Sequence, residues 1–209
     1  MKLYYSPGAC SLSPHIVACE AELPINLSKV TYAGAVRTTA EGEDFFAVNT
    51  RGGYVPALRL DSGYVLTEGP AIVQYLSDQA PAAHLMPERG SEDYYRTLSW
   101  LTFISSELHK GFSPLYRPDL PESEKAIVID RLKKRYAYLN EALAGQDYLL
   151  GTDFSVADAY CYAILRWSSR AGIDVSTYPH LAAYLARMEE RAGVQKALKE
   201  EGLEPLAQS

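Results

Sequence analysis

Cysteine and long apolar runs are both scarce in this 209-residue sequence. The three cysteines, at positions 10, 19 and 161, are an odd number at wide spacing, which predicts neither a disulfide framework nor a zinc site. No run of ~18 apolar residues is present, so no membrane span is predicted. The N-terminus also lacks the apolar stretch and cleavage site of a signal peptide. We therefore expect a cytoplasmic protein without a bound metal.

Positive charge is also in short supply. The chain has 20 lysines and arginines against 26 aspartates and glutamates, a net charge of −6. A nucleic-acid-binding protein would show a basic stripe instead. The densest basic stretch, at positions 131 to 135, lies among acidic residues and predicts a solvated helix face. Nucleic acid and membrane are therefore not expected as partners.

The chain divides at residues 81–90, where prolines and a glycine interrupt two periodic segments. Before this linker the pattern reads β-α-β-α-β-β-α, which predicts a mixed four-stranded sheet with helices. The predicted strands are 2–6, 25–32, 55–60 and 64–67, and the predicted helices are 12–23, 39–48 and 70–79. After the linker, a helix start at Ser91 and several apolar stripes at helical spacing predict an all-helical unit.

Cys10 directly precedes the first predicted helix. It has the C-x-x-C spacing of thiol-disulfide enzymes, but Ser13 replaces the second thiol, so the natural intermediate is a mixed disulfide with an external thiol. Amides at a helix start favour a thiolate by only ~0.3–1 kcal/mol, so ionising Cys10 needs a further cation or donor. These residues alone support a reactive thiol and an inert small hydrophobe equally. Cys19 and Cys161 lie within helix patterns and are expected to be buried and inert.

Two turns offer backbone groups to a ligand. Pro56 opens a predicted strand, where a cis peptide would present the preceding amide and carbonyl, although trans proline is commoner. Between Thr67 and Pro70 a strand turns into a helix, which places free amides beside Glu68, an acid able to bind an ammonium group. On this stretch alone, an ordinary helix start with a favourably placed acid is the favoured explanation of the second turn.

Three further features have plain structural interpretations. His109 and Lys110 fall near a helix end, where cations are common. His15, after Pro14, is expected to be a surface or packing residue. Ser155 and the aspartate three positions later form a variant capping box, which is a folding signal.

Four stretches together resemble a glutathione transferase, most closely one of the bacterial beta class. In chain order they are MKLYYSPGACSLSPHI, LTEGPAIVQYL, SSELHKGFSPL and SVADAY. The resemblance covers essentially the whole chain. It implies a thioredoxin-like glutathione-binding domain at 1–80, a linker at 81–90, and an all-helical domain at 91–209 that forms much of the pocket for an electrophilic substrate.

The resemblance also implies roles for particular residues toward glutathione, the co-substrate. Val55, before a cis Pro56, would pair with the cysteinyl backbone of glutathione. Glu68 and the Gly69 amide would hold the γ-glutamyl end. Arg37 lies where relatives place a basic residue that faces the glycyl carboxylate.

At the sulfur of glutathione, the resemblance places Cys10, able to form a mixed disulfide. His109, with Lys110 near it, would help to stabilise the thiolate from across the cleft. The family is typically homodimeric, so Ser106 could approach a site of the neighbouring subunit. One departure is the stretch NTRGGYVP, which has Thr50 for the usual proline and one extra residue.

The implied reaction is attack of the glutathione thiolate on an electrophilic, apolar or aromatic xenobiotic, as in detoxification. Alternatives within the family are a glutathione-dependent thiol-disulfide reductase or peroxidase, or a reductive dehalogenase, acting through a Cys10 mixed disulfide. A non-catalytic binding module on the same fold is the alternative from a different class.

Overall fold

A computed structural model describes residues 1–206 of the chain. Residues 1–80, the N-terminal part, contain a five-stranded sheet and three helices. The strands are β1 (Lys2–Tyr5), β2 (Asn26–Ala33), β3 (Val36–Thr39), β4 (Ala57–Arg59) and β5 (Val65–Thr67), and the helices are α1 (Leu12–Glu20), α2 (Phe45–Val48) and α3 (Gly69–Gln79).

The sheet is mixed, with strand order β3-β2-β1-β4-β5. β1 and β2 are parallel because α1 connects them, and the other three pairs are antiparallel. Side chains alternate between the two faces of β1: Leu3 packs into the core shared with α1 and α3, and Tyr4 packs against Phe45 on the opposite face. The predicted thioredoxin-like mixed sheet with helices is confirmed.

The prediction of four strands is wrong, since β3 is a fifth strand. β2 turns back at Gly34, whose φ is +62°, and Ala33 then pairs with Val36 in antiparallel register. A glycine at the first position of a two-residue loop allows this tight hairpin. The predicted helix at 39–48 is also too long, because α2 covers only Phe45–Val48.

Residues 91–206, the helical part, contain the remaining α-helices and one π-helix. They are α4 (Glu92–Phe103), a π-helix (Ile104–His109), α5 (Lys110–Phe112), α6 (Glu122–Ala142), α7 (Val156–Leu165), α8 (Pro179–Glu190) and α9 (Ala192–Glu201). The predicted start at Ser91 is confirmed, since its hydroxyl accepts a hydrogen bond from the Tyr94 amide at 3.1 Å. In the described range 1–206, no helix combines the length and apolar character needed to span a bilayer.

One hydrophobic core joins the two parts. Ile16 of α1 and Ile72 of α3 belong to the same buried cluster as Leu101 of α4 and Ile164 of α7. All ten residues of α7 are buried, so this helix lies at the centre of the molecule. The helices that border the sheet are therefore fixed relative to those of the helical part by apolar packing.

Two of the histidine and cysteine predictions need correction. His15 is not a plain packing residue: it is only 1% exposed, yet Glu200 and Glu201 of α9 contact its two ring nitrogens at 2.7 and 3.0 Å. Cys19, one turn later, is half-buried rather than buried. Cys161 is fully buried as predicted, and burial raises the pKa of its thiol.

The predicted capping box at the start of α7 is confirmed. Asp158 is buried and accepts hydrogen bonds from the Ser155 amide at 2.9 Å and the Ser155 hydroxyl at 2.8 Å. Its second carboxylate oxygen accepts the Leu149 amide at 2.9 Å, which ties the preceding loop to the helix. The side chain therefore satisfies backbone donors in two segments.

Replacing Asp158 with alanine is expected to lower the free energy of unfolding by ~0.5–2 kcal/mol, because the capping box loses its acid and the Ser155 and Leu149 amides lose their acceptor. Binding of glutathione, the ligand that the resemblance implies, should be unchanged in the folded variant, since Asp158 does not line the cleft between the two parts of the molecule. Denaturant titration gives the stability, and Asp153→Ala, at an exposed acid of the same loop, is the control. Equal midpoints for the two variants would contradict the capping role.

Candidate active site

A cleft of about 670 Å³ lies between the two parts of the molecule. Its lining combines six of the eight predicted site residues: Cys10, Val55, Glu68, Gly69, His109 and Lys110. Arg37 and Ser106 are not among the lining residues. A second cavity of about 520 Å³, at residues 168–176 and α8, contains none of the eight.

Cys10 lies in the loop between β1 and α1. Ser11 shapes this loop, because its hydroxyl is within hydrogen-bond distance of both the amide and the carbonyl of Ser6. The Trp167 indole donates to the Gly8 carbonyl at 2.8 Å, and the Gly8 amide donates to Glu201 at 2.9 Å. Side chains from the helical part therefore fix the loop that positions the thiol.

The Cys10 thiol is protonated. Burial raises its pKa to about 12, although the amides of Cys10 and Ser11 act in the opposite direction. The thiol donates a hydrogen bond to the Val55 carbonyl at 3.3 Å. The amides at the helix start act in the expected direction, but desolvation of the thiol outweighs them.

His109 faces this thiol loop from the π-helix. Its Nδ1 lies 2.6 Å from the Tyr160 hydroxyl, and its ring packs edge-on against Trp167 with centroids 5.2 Å apart. Burial, and then the neighbouring Lys110 charge, lower the pKa of His109 to about 4, so the imidazole is neutral near pH 7. Burial raises the pKa of Tyr160, so its hydroxyl keeps its proton.

The π-helix decides which serine faces the cleft. Ser105 lines the cleft together with His109, four positions later. Ser106 is exposed, and its hydroxyl donates to the Thr102 carbonyl at 2.9 Å. π-helical turns often occur at functional sites, and this one has no signal in the sequence pattern.

The start of α3 forms the opposite wall. Glu68 has a φ of +70°, a left-handed conformation that is uncommon for residues other than glycine and is often found at functional sites. Its side chain caps no amide of its own helix. The Val55–Pro56 peptide bond beside it is cis, as the resemblance implied. The carboxylate and the Gly69 backbone therefore line one end of the cleft together.

The cation of the N-terminal part that lines the cleft is Arg51, a residue not predicted from the sequence. The Arg37 guanidinium instead donates to the carbonyls of Gly52 and Gly53 and packs over the Tyr54 ring at 4.6 Å. Arg37 thus supports the loop on which Arg51 stands. The extra residue in NTRGGYVP is the sequence feature that could have indicated Arg51, because a longer loop can bring a different side chain to the cleft.

The chain is similar in sequence and in fold to known proteins. The sequence model of the family described as "Glutathione S-transferase, C-terminal domain" matches residues 103–192. Glutathione S-transferase GstA of Escherichia coli O157:H7 is 45% identical over 203 residues, covering 97% of this chain and 100% of the relative.

Two solved structures extend the similarity to the fold. A sphingomonad glutathione S-transferase complexed with glutathione is 49% identical, with a TM-score of 0.91, covering 98% of this chain and 100% of that one. The beta-class glutathione S-transferase of Sphingomonas chungbukensis is 44% identical, with a TM-score of 0.91 and the same coverage.

Proposed function

The chain belongs to the glutathione S-transferase family, in its bacterial beta class, and is a glutathione transferase; on this premise we propose that it conjugates glutathione to apolar or aromatic electrophiles in the cleft at Cys10. The observation that carries the proposal is the convergence of Cys10, Glu68 and His109 on one cleft from three separate segments.

Glutathione lies along the N-terminal wall of the cleft in this proposal. Glu68 and the Gly69 amide bind the γ-glutamyl end, because a carboxylate beside a helix start suits a group with both an ammonium and a carboxylate. Val55 pairs through its backbone with the cysteinyl residue, as an added strand does. Arg51 takes the glycyl carboxylate. This assignment replaces Arg37, whose guanidinium already has backbone partners.

The thiolate of glutathione is stabilised by neutral donors. Tyr160 keeps its proton and donates a hydrogen bond to His109 Nδ1. The imidazole proton is then on Nε2, where it can donate a hydrogen bond to the glutathione sulfur. The amides of Cys10 and Ser11, beside the start of α1, are further neutral donors. The glutathione thiol loses its proton to solvent, and the thiolate then forms a C–S bond while the leaving group departs with its electron pair.

The second substrate lies against the helical part. Tyr116 and Tyr160 supply aromatic surface there, and Ser113 supplies a hydroxyl. Such a wall favours a flat apolar or aromatic electrophile.

Parallel assays of the purified protein with glutathione test this function. The second substrates are a halonitrobenzene, a mixed disulfide, a hydroperoxide and a chlorinated aromatic dienoate. We expect the halonitrobenzene to be conjugated. Turnover of the other three alone, with no conjugation of any aromatic electrophile, would contradict the proposal.

A second candidate function is thiol transfer, peroxide reduction or reductive dehalogenation through a mixed disulfide. It is favoured by the position of the Cys10 thiol in the cleft, beside the proposed glutathione site.

Replacing Arg51 with glutamine is expected to weaken glutathione binding roughly 10-fold, as for loss of a charge-assisted hydrogen bond. The matched comparison is Lys110→Gln, which removes a cleft cation of the helical part. Calorimetry with glutathione and with its γ-glutamylcysteine fragment separates the effects. Only wild type and Lys110→Gln should distinguish the two ligands. If Arg51→Gln still distinguishes glutathione from γ-glutamylcysteine as well as wild type does, another residue binds the glycyl carboxylate.

Replacing Tyr160 with phenylalanine is expected to lower kcat/KM for conjugation by about 2- to 12-fold, since one hydrogen bond that orients His109 is lost. The pH–rate profile should also shift to higher pH, because the bound thiolate is less stabilised. Tyr162→Phe is the control, since that hydroxyl bonds Glu189 outside the cleft. Identical pH profiles for wild type and Tyr160→Phe would contradict the tautomer assignment.

Membership of the family also suggests the domain bounds, the cellular location and the oligomeric state of the protein. We propose a glutathione-binding domain at 1–80, a linker at 81–90 and a helical substrate domain from 91 onward, in a cytoplasmic detoxification enzyme. The protein is proposed to be a homodimer, in which Ser106 faces the site of the neighbouring subunit. Its exposed position is compatible with that role.

A further inference from the structure

A cluster of metal-ligating groups lies outside the cleft, where α1 packs against α9. His15 and Cys19 stand one helical turn apart on α1, so their side chains share a face. Glu200 of α9 faces both of them: its Oε2 is 2.7 Å from His15 Nε2 and 4.0 Å from Cys19 Sγ. The three ligand atoms all lie within 4.8 Å of one another.

We propose that His15, Cys19 and Glu200 form a zinc site with a fourth position open to water. Imidazole, thiolate and carboxylate are the three side-chain types that bind zinc, and the thiolate disfavours calcium and magnesium. Zinc bond lengths place neighbouring tetrahedral ligands roughly 3.3–3.7 Å apart. The His15–Glu200 pair therefore has to open slightly and Cys19 has to approach.

The surroundings of His15 support a ligand role. Its other ring nitrogen, Nδ1, lies 3.0 Å from a carboxylate oxygen of Glu201, whose side chain is buried. A metal-bound histidine almost always has such a partner, which fixes the ring and raises its basicity. Glu201 also holds the Gly8 amide of the Cys10 loop, so its position is fixed from two sides.

The ion can reach the site, and the charges balance. Glu200 is 38% exposed and Cys19 is half-buried, so the mouth of the cluster is open to solvent. A divalent ion takes the place of the proton between His15 and Glu200 and of the thiol proton of Cys19. Two protons leave for one ion of charge +2, and no oxidation occurs. The groups come from opposite ends of the chain, which is why sequence spacing predicted no metal.

Cobalt(II) titration of the full chain, in a non-thiol reductant, tests the site. We expect a thiolate-to-cobalt charge-transfer band that saturates at one ion per chain and disappears on addition of zinc(II). The band should be absent in Cys19→Ser and retained in Cys10→Ala. A band that persists in Cys19→Ser, or no band in folded wild type, would overturn the proposal.

Zinc(II) calorimetry gives the second measurement. Glu200→Gln removes one ligand at a partly exposed position, and we expect its zinc affinity to fall by at least about 10-fold. The control is Glu204→Gln, at an exposed position. Glu189→Gln is unsuitable as a control, because the Glu189 carboxylate accepts a hydrogen bond from the Tyr162 hydroxyl. Equal zinc affinities for Glu200→Gln and Glu204→Gln would overturn the assignment.

Discussion

Replacing Cys10 with alanine is expected to abolish the mixed disulfide that we expect wild type to form with oxidised glutathione. In wild type, the Cys10 thiolate attacks one sulfur of oxidised glutathione, a new S–S bond forms, and one glutathione thiolate leaves. Ser13 occupies the position of the second cysteine in the C-x-x-C frame that begins at Cys10, so no second thiol is available there to resolve the adduct. Thiol transfer should therefore disappear in the variant. Much of the conjugation rate should remain, because the attacking thiol there belongs to glutathione.

Intact-mass analysis measures the adduct. Wild type should gain one glutathione per chain, reversed by reductant and mapped to Cys10, and Cys19→Ser should behave like wild type. Cys161 is fully buried and is not expected to react. An adduct on Cys19 or Cys161, or none on wild type, would contradict a redox-capable Cys10.

The rate of adduct formation should depend steeply on pH. The pKa of Cys10 is about 12, so at neutral pH the thiol is almost entirely protonated. Below that pKa the thiolate fraction rises ~10-fold per pH unit, and the rate should rise by ~100-fold between pH 7 and 9. A rate that is constant over this range would show that the thiol is already ionised in the protein.

Replacing Glu68 with glutamine is expected to weaken glutathione binding by ~1.5–3 kcal/mol, or roughly 10- to 150-fold in Kd, through loss of a charged partner for the ammonium group. Glutamine has nearly the same shape, so the fold and the strained backbone at this position should persist. The loss should vanish for a glutathione analogue that lacks the amino group.

Calorimetry with glutathione and the des-amino analogue measures the effect, and thermal unfolding checks the fold. The matched control is Glu92→Gln, an exposed acid in the first turn of α4 outside the cleft. If Glu68→Gln and Glu92→Gln bind glutathione equally well, the γ-glutamyl end is held elsewhere.

Much of the fold follows from local patterns in the sequence. The parallel β1–β2 pair was predictable because a helix pattern separates two short apolar runs, and the α7 cap because Ser155 and Asp158 have the required spacing. β3 was not predicted, since its strand VRTT is mostly polar and lacks apolar alternation. The π-helix has no sequence signature, so the choice of Ser105 over Ser106 could not be made in advance.

The chemistry of the site depends on tertiary surroundings that the sequence does not encode locally. The helix-start argument gave the correct sign for the amides at Cys10, but the larger desolvation effect appears only when Val55 and the helical part enclose the thiol. His109 was expected among the stabilising groups, but burial makes it a neutral donor rather than a cation. The His15 cluster joins residues 185 positions apart.

The most direct test of the cleft as a thiolate-stabilising site is the pKa of bound glutathione. Ultraviolet absorption of the thiolate is followed through a pH titration of the glutathione-loaded Cys10→Ala variant, with the S-methyl glutathione complex as the blank. We expect the bound thiol to ionise below the ~8.5 of a free cysteine, and Tyr160→Phe in the same background to raise its pKa. An unshifted pKa, unaffected by Tyr160, would contradict stabilisation by His109 and the helix-start amides.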